Sequence, residues 1–267
     1  MSIRAEHLSF TYPKADAPVI RDLSFEAPKG CITVVVGANG VGKSTLIKSM
    51  LGINKSGGKV FFDGQDRSRI TNEQLFSKVG YMTQESAILT RLNVFNVVLL
   101  GRLGSLSLKV SDEDIDSVHD MLKLLDLEPF TERPFFALSG GQRRLVDVAQ
   151  TLVKDPDILI MDEPTANLDL ANELQVLEIV RNYTAQRQSA TLLTLHDLNM
   201  AARYADKVVL IKDGVVFKEG APFEVLTEDN IRSAYRVNVN VMIGENNRPV
   251  IQTISPVREG HYDFRRQ

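Results

Sequence analysis

Ile32-Thr33-Val34-Val35-Val36-Gly37-Ala38-Asn39-Gly40-Val41-Gly42-Lys43-Ser44-Thr45 is the stretch on which the fold turns. A short β-branched run, Ile32 to Val36, ends abruptly in glycines, and Lys43 to Leu51 then follows a helical pattern. The unit reads as strand, loop and helix. Gly37 to Ser44 matches G-x-x-x-x-G-K-[ST] in the structural position its mechanism demands. Glycines let the backbone curl until several N–H groups face one phosphate, and the helix N-terminus adds positive dipole. Lys43 would supply a point charge to the β- and γ-phosphates of a nucleotide, and Ser44 a hydroxyl to Mg²⁺. The bland alternative is a glycine-rich turn with a chance lysine. Average residue usage puts a chance match in a chain of this length on the order of one per cent, before the flanking strand and helix are counted.

Ile158-Leu159-Ile160-Met161-Asp162-Glu163 supplies the complementary chemistry. Four apolar residues suit a buried strand, which delivers two carboxylates at its C-terminal end, where open parallel sheets hold ligands. Asp162 is a candidate for holding Mg²⁺, and Glu163, facing elsewhere, for polarising an attacking water. Apolar strands ending in Asp-Glu are common, so this motif is weak alone and gains its weight from the loop at 37–45. Leu138-Ser139-Gly140-Gly141-Gln142 precedes a helical pattern and forms a second phosphate-ready helix N-terminus. Its plain reading is a serine cap on a glycine turn. One γ-phosphate has little use for two cradles in one chain, unless they come from different subunits.

The flanks fit an α/β chain. Ile3 to Tyr12, Val19 to Glu26 and Lys59 to Phe62 read as short strands broken by Pro13, Pro18 and Asp63-Gly64. The region 86–155 reads as helical. Val118, Met121, Leu122 and Leu125 follow a capping start at Ser111 to Asp114, and Leu145, Val148, Ala149 and Leu152 repeat the spacing before Pro156. Leu192 to Leu195 suits another buried strand, with a helix over Asn172 to Tyr183 before it. Lys207 to Lys212, Asp213-Gly214 and Val215 to Lys218 spell a type I′ hairpin. A second hairpin, Val237 to Ile243 and Val250 to Ile254, has a longer loop, and the polar tail from Ser255 to Gln267 reads as unstructured.

Bulk properties exclude several classes. Hydrophobic residues make up 43% and charged residues 24% of the 267, as in ordinary globular proteins. The net charge of −3 lacks a basic footprint, so nucleic acid is not an expected partner. The single cysteine, Cys31, cannot form an internal disulfide and reads as a strand residue in a reducing compartment. Apolar runs such as Val97 to Leu100 fall short of the roughly 18 residues a membrane span needs. The first six residues lack a signal-peptide core. The chain is expected in the cytosol, or at the cytoplasmic face of a membrane through a partner.

The order of these motifs resembles the ABC ATPase family. The glycine-rich loop is followed by Gln84, Leu138-Ser139-Gly140-Gly141-Gln142, the strand ending at Asp162-Glu163, Ala166-Asn167-Leu168-Asp169, and His196, with no element missing over residues 1 to about 220. The resemblance implies a P-loop α/β core, an N-terminal antiparallel β subdomain and a helical subdomain at about 86–155. Residues 221–267 would form a C-terminal extension of a short helix, a hairpin and a tail. It also implies roles. Tyr12 would stack on adenine, while Gly37, Asn39, Gly40, Gly42, Lys43, Ser44 and Thr45 cradle ATP. Ser139, Gly140, Gly141 and Gln142 would bind the ATP of an opposite subunit, and Asp169 would link the two sites. Glu163, His196 and Gln84 would act in hydrolysis, with Ser44, Gln84 and Asp162 around Mg²⁺. Taken singly, Tyr12, Gln84 and His196 read as a strand aromatic, a surface polar residue and a core histidine; only order and spacing change that. One departure is visible. Relatives usually continue with Arg-Gln-Arg-Val where this chain has Arg143-Arg144-Leu145-Val146, and the helical period puts Leu145 on the apolar face.

The flanks are similar to ATPases of importers for iron-siderophores, haem and cobalamin. The similarity lies in Leu195 to Asp206, Leu99-Leu100-Gly101-Arg102, Glu224 to Thr227, Tyr235-Arg236-Val237 and Arg248-Pro249-Val250. Such a subunit implies a homodimer, membrane permease subunits and, indirectly, a substrate-binding protein. Glu85 to Arg102 mixes polar and apolar residues, Leu89 and Leu92 among them, and suits a groove for a permease helix. The alternatives are an importer of another metal or small solute, or a soluble ABC ATPase. The latter would carry two cassettes or a long coiled coil, and neither is present. A module that binds ATP without turnover would not need an intact Glu163 and His196.

Overall fold

The computed structural model describes residues 1–84, 91–102 and 110–257. The loop at 37–45 joins β3 (Ile32–Val36) to α1 (Lys43–Met50), as the sequence predicts. Every residue of β3 is buried. So is every residue of β7 (Ile158–Asp162) and β8 (Ala190–Thr194), the other apolar runs. These strands pair in parallel, β3 with β8 and β8 with β7, and β6 (Val79–Met82) continues the ladder on β7. Full burial of both faces explains why they read as continuous apolar runs rather than alternations.

Ten strands of the described residues join one sheet, in the order β5-β4-β1-β2-β10-β9-β3-β8-β7-β6. Its other half is β1 (Ile3–Phe10), β2 (Ile20–Ala27), β4 (Gly57–Phe62) and β5 (Gln65–Asp66), which pair antiparallel in the arrangement β2-β1-β4-β5. The halves meet through the hairpin of β9 (Lys207–Lys212) and β10 (Val215–Gly220). β9 lies parallel to β3, and β10 touches β2 at Val215 and Asp22. Asp213 and Gly214 have φ of 50° and 76°, which fits the type I′ turn.

Alternation along the central strands divides the interior in two. Val35, Ile158 and Ile160 face one side with Leu46, Ile47 and Met50 of α1. Val34, Val36, Leu159 and Met161 face the other, with Val146, Val148, Ala149 and Leu152 of α5 (Gly140–Leu152). The helices of the glycine-rich loop and of the Ser139 motif therefore lie on opposite faces of one sheet.

On the α5 side, α3 (Val94–Leu99) and α4 (Asp112–Leu124) pack against α5. Ser111 and Asp114 cap α4 reciprocally, and Arg102 Nε donates to Asp114 Oδ1 at 2.8 Å. The backbone N–H of Ser111, then Arg102 and the Ser111 hydroxyl, hold the Asp114 carboxyl down to about 2. Gly101 permits a close approach: a Cβ there would stand 2.1 Å from the Gln150 carbonyl oxygen. Two residues of the Leu99-Leu100-Gly101-Arg102 signal, Gly101 and Arg102, thus make packing and capping contacts here. Gly101→Ala should push α3 off α5 and lower stability by about 1–3 kcal/mol, read by urea denaturation against wild type. Leu145 is 6% exposed, in keeping with its place on the apolar face.

β11 (Val237–Ile243) and β12 (Pro249–Pro256) form a separate two-stranded sheet. It rests on α7 (Leu198–Tyr204) and α9 (Glu228–Tyr235). Asn199 pairs with the Ile251 backbone like a strand edge, its Oδ1 accepting at 2.8 Å and its Nδ2 donating at 3.2 Å. Arg248 donates to the carbonyls of Ala202 and Ala205 at the end of α7. Asn199 and Arg248, far apart in sequence, are two sides of this junction. β12 extends past Ser255; residues 258–267 of the tail lie outside the described residues.

Candidate active site

Gly42 caps α1 with φ of 107°, a conformation that favours glycine, and a Cβ there would come within 2.8 Å of Val19. As glycine, Gly42 offers no capping side chain to the first amides of α1, the arrangement in which a helix N-terminus can receive an anion. Lys43 is 5% exposed and folds back over the loop, its Nζ donating to the Gly37 carbonyl at 2.8 Å and to the Ala38 carbonyl at 3.4 Å. Burial pushes its ammonium pKa down, while the carboxylates of Glu163 and Asp162 push it back up. Tyr12 is 43% exposed at the loop, with its hydroxyl 2.9 Å from the Thr45 hydroxyl.

At the end of β7 the two carboxylates take different surroundings. Asp162 Oδ1 accepts from the Thr194 hydroxyl at 2.6 Å. The same hydroxyl accepts the Glu163 N–H at 2.9 Å. Glu163 adopts φ of 52°, a left-handed conformation that persists in a non-glycine residue when its surroundings over-determine it. Its Oε2 accepts from Gln84 Nε2 at 2.8 Å, and its Oε1 lies 2.5 Å from His196 Nε2. Gln84 follows β6 and His196 follows β8, the strands on either side of β7, so parallel register brings all three side chains to one end of the sheet.

Ser139 and Gln142 hydrogen-bond each other in a reciprocal capping box, at 3.2 and 3.0 Å. They do so at the start of α5, on the far face from α1. Asp169 caps α6 (Leu170–Arg187), accepting the Asn172 N–H at 2.9 Å. A Cβ on Gly141 would meet Leu168 at 3.6 Å, so the Ser139 turn and the 166–169 turn are neighbours. The structure therefore groups Tyr12 with the 37–45 loop and Gln84, Asp162, Glu163 and His196 with one another. Ser139 to Gln142 and Asp169 form a second group, around the neighbouring starts of α5 and α6.

Two contributors escaped the sequence reading. Thr194 is the one polar residue of Leu192 to Leu195, and that polarity within a buried run was the available signal. Arg144, the second of an Arg-Arg pair, is 5% exposed. Its guanidinium donates to the carbonyls of Thr83, Gln84, Asp162, Glu163 and Pro164. Burial lowers its pKa, opposed by Asp147, Asp162 and Glu163. The available signal was its spacing, four residues before Val148 and eight before Leu152 on the apolar face, and its place where relatives usually carry Gln.

The sequence matches the ABC transporter family over residues 20–166. An uncharacterized ABC transporter ATP-binding protein of Methanocaldococcus jannaschii is 38% identical over 242 residues, 90% of this chain and 94% of that one. The iron(3+)-hydroxamate import ATP-binding protein of Bacillus subtilis is 32% identical over 96% of each chain. Among solved structures, an inward-facing metal-chelate type ABC transporter superposes with a TM-score of 0.79 at 28% identity, covering 97% of this chain and 98% of that one. With these likenesses added to its sheet order and motif geometry, the chain belongs to the ABC transporter family, as one of its ATP-hydrolysing subunits.

Proposed function

We propose that the chain hydrolyses Mg-ATP to drive an importer of metal chelates of the iron-siderophore, haem or cobalamin type. The site reading rests on one observation: beside the loop that carries Lys43, Glu163 accepts a hydrogen bond from Gln84 and stands 2.5 Å from His196 Nε2. The 37–45 loop and the α1 N-terminus bind the phosphates, Lys43 leaves the Gly37 carbonyl to neutralise the β- and γ-oxygens, and Tyr12 stacks on adenine. Ser44, Gln84 and Asp162 offer an all-oxygen donor set, a hydroxyl, an amide and a carboxylate, which suits Mg²⁺. Mg²⁺ there supplies charge neutralisation across the phosphates. Glu163 orients the attacking water, and His196 contacts the γ-phosphate.

The placement of α1 and α5 on opposite sheet faces supports a homodimer in which Ser139 to Gln142 completes the partner's site. For that, Ser139 and Gln142 must exchange part of their mutual capping for the nucleotide, and Asp169, at the start of α6, would connect the sites. The division into an ATPase domain over 1–220, with its helical subdomain, and a C-terminal extension belongs to the same reading. No helix among the described residues is long and apolar enough to cross a membrane, which fits a peripheral subunit held by a permease at the cytoplasmic face. Leu92 and Phe136 fit the docking surface. Both are exposed, and the Phe135 N–H binds the Leu92 carbonyl at 2.9 Å. Leu89 lies outside the described residues.

The cargo class rests on the import relative of Bacillus subtilis and on the metal-chelate transporter structure. In proteoliposomes holding this chain, its permease and the binding protein, a ferric hydroxamate, haem or cobalamin is expected to raise ATP hydrolysis several-fold. Stimulation by free zinc or an amino acid instead would overturn the cargo class and leave the ATPase reading standing.

A further inference from the structure

Arg144 is buried on α5, two residues beyond Gln142, yet its hydrogen bonds among the described residues all run to backbone carbonyls and none to a carboxylate side chain. A guanidinium presents its N–H groups in a rigid planar fork. Here the fork gathers two separate backbone segments. Nη1 donates to the Thr83 carbonyl at 2.8 Å and the Gln84 carbonyl at 3.1 Å, on the chain leaving β6. Nη2 donates to the carbonyls of Asp162, at 2.9 Å, and Glu163, and Nε to that of Pro164 at 3.1 Å, on the chain leaving β7.

These segments carry Gln84, Asp162 and Glu163, the residues nearest the chemistry. Glu163 is held by its backbone on both sides, its N–H by the Thr194 hydroxyl and its carbonyl by Arg144. With φ at 52°, that grip keeps its side chain facing Gln84 and His196. Arg144 also stands on the helix that begins with the Ser139 motif, so a shift of α5 moves the fork and, with it, both segments.

We propose that Arg144 is a positioning residue for hydrolysis. It sets the Glu163 carboxylate and ties the Gln84 turn to the helix whose N-terminus meets the second subunit's nucleotide. This rests on Glu163 orienting the attacking water.

The test compares Arg144→Lys and Arg144→Met with wild type and Glu163→Gln, all as full-length protein. Lysine keeps the charge but replaces the planar fork with a single point donor. Misplacement of a catalytic group by about 1 Å costs up to about 100-fold, so kcat should fall about tenfold in Arg144→Lys and about 100-fold in Arg144→Met. The KM for ATP and the affinity for a fluorescent ATP analogue should stay within twofold, because the 37–45 loop is untouched. Adding Arg144→Lys to Glu163→Gln should cost nothing further in single-turnover hydrolysis, because the arginine acts through the glutamate.

Turnover within twofold of wild type in both arginine variants overturns the proposal. So do parallel losses of kcat and nucleotide affinity, additivity with Glu163→Gln, or failure of both variants to fold, each of which makes Arg144 a structural staple. If Glu163→Gln itself turns over normally, the reading of Glu163 falls instead, a result distinct from all of these.

Discussion

Glu163→Gln is expected to bind Mg-ATP with affinity within a few-fold of wild type and to lose turnover by roughly 10²- to 10⁴-fold, the usual contribution of a positioned proton acceptor. The amide is nearly isosteric, so the left-handed turn, the Thr194 bond to its N–H and the Arg144 bond to its carbonyl all persist. What disappears is the carboxylate charge proposed to polarise water. The amide still accepts from Gln84, but the second position, 2.5 Å from His196 Nε2, can no longer be a carboxylate oxygen. Steady-state phosphate release and equilibrium nucleotide binding separate the two effects. Near wild-type hydrolysis would remove Glu163 from the chemistry and leave Asp162 and His196 as the groups to examine.

The second large effect is expected in a mixed dimer. Lys43→Ala removes the ammonium that sits over the glycine-rich loop, and Ser139→Arg puts a cation and a bulky stem in the helix cap proposed to meet the partner's nucleotide. In either homodimer both sites are damaged, and nucleotide trapping should fall near background. In a dimer of one chain of each kind both defects fall in the same site, and the other site is whole. It should trap about one nucleotide per dimer, half the wild-type complement, as the linkage of one binding event to closure requires. Trapping is the proper readout, because cooperation between sites can hide a half-active dimer from steady-state hydrolysis. The opposite sheet faces of α1 and α5 make this a demanding experiment. If the mixed dimer traps no more than its parents, the Ser139 motif serves its own chain by a rearrangement the present fold does not contain.

Much of the architecture was legible locally. The strand Ile32–Val36 was predicted to the residue, because five buried β-branched or apolar positions between Cys31 and Gly37 leave no other period. The starts of α4 and α5 were legible because serine caps act within one turn, and the hairpin at Asp213-Gly214 because its backbone favours φ above zero. Boundaries drifted where the signal is weak. The helix read over Asn172 to Tyr183 runs Leu170–Arg187, beginning at its Asp169 cap. β6 was missed altogether. Its four residues include Gly80, too short a run to show a period, although it delivers Gln84. The central ladder supplies the alignment that so short a segment cannot supply itself.

By itself the sequence determined the parts: a glycine-rich loop with its lysine between a strand and a helix, a carboxylate pair at a strand end, a second glycine-bearing helix start, and their order along the chain. Each depends on residue type and on spacing within a few positions, which local backbone physics dictates. Only the tertiary structure decided which parts meet. Parallel pairing of β6, β7 and β8 carried Gln84, Glu163 and His196 to one point, although Gln84 lies 79 residues from Glu163 in the chain. It turned Arg144 inward onto two loops while its neighbour Arg143 stayed partly exposed, and it set the two helix starts on opposite faces of the sheet. Those outcomes depend on strand order and on which face each helix covers, quantities set by the burial of the whole core and carried by no single stretch of sequence.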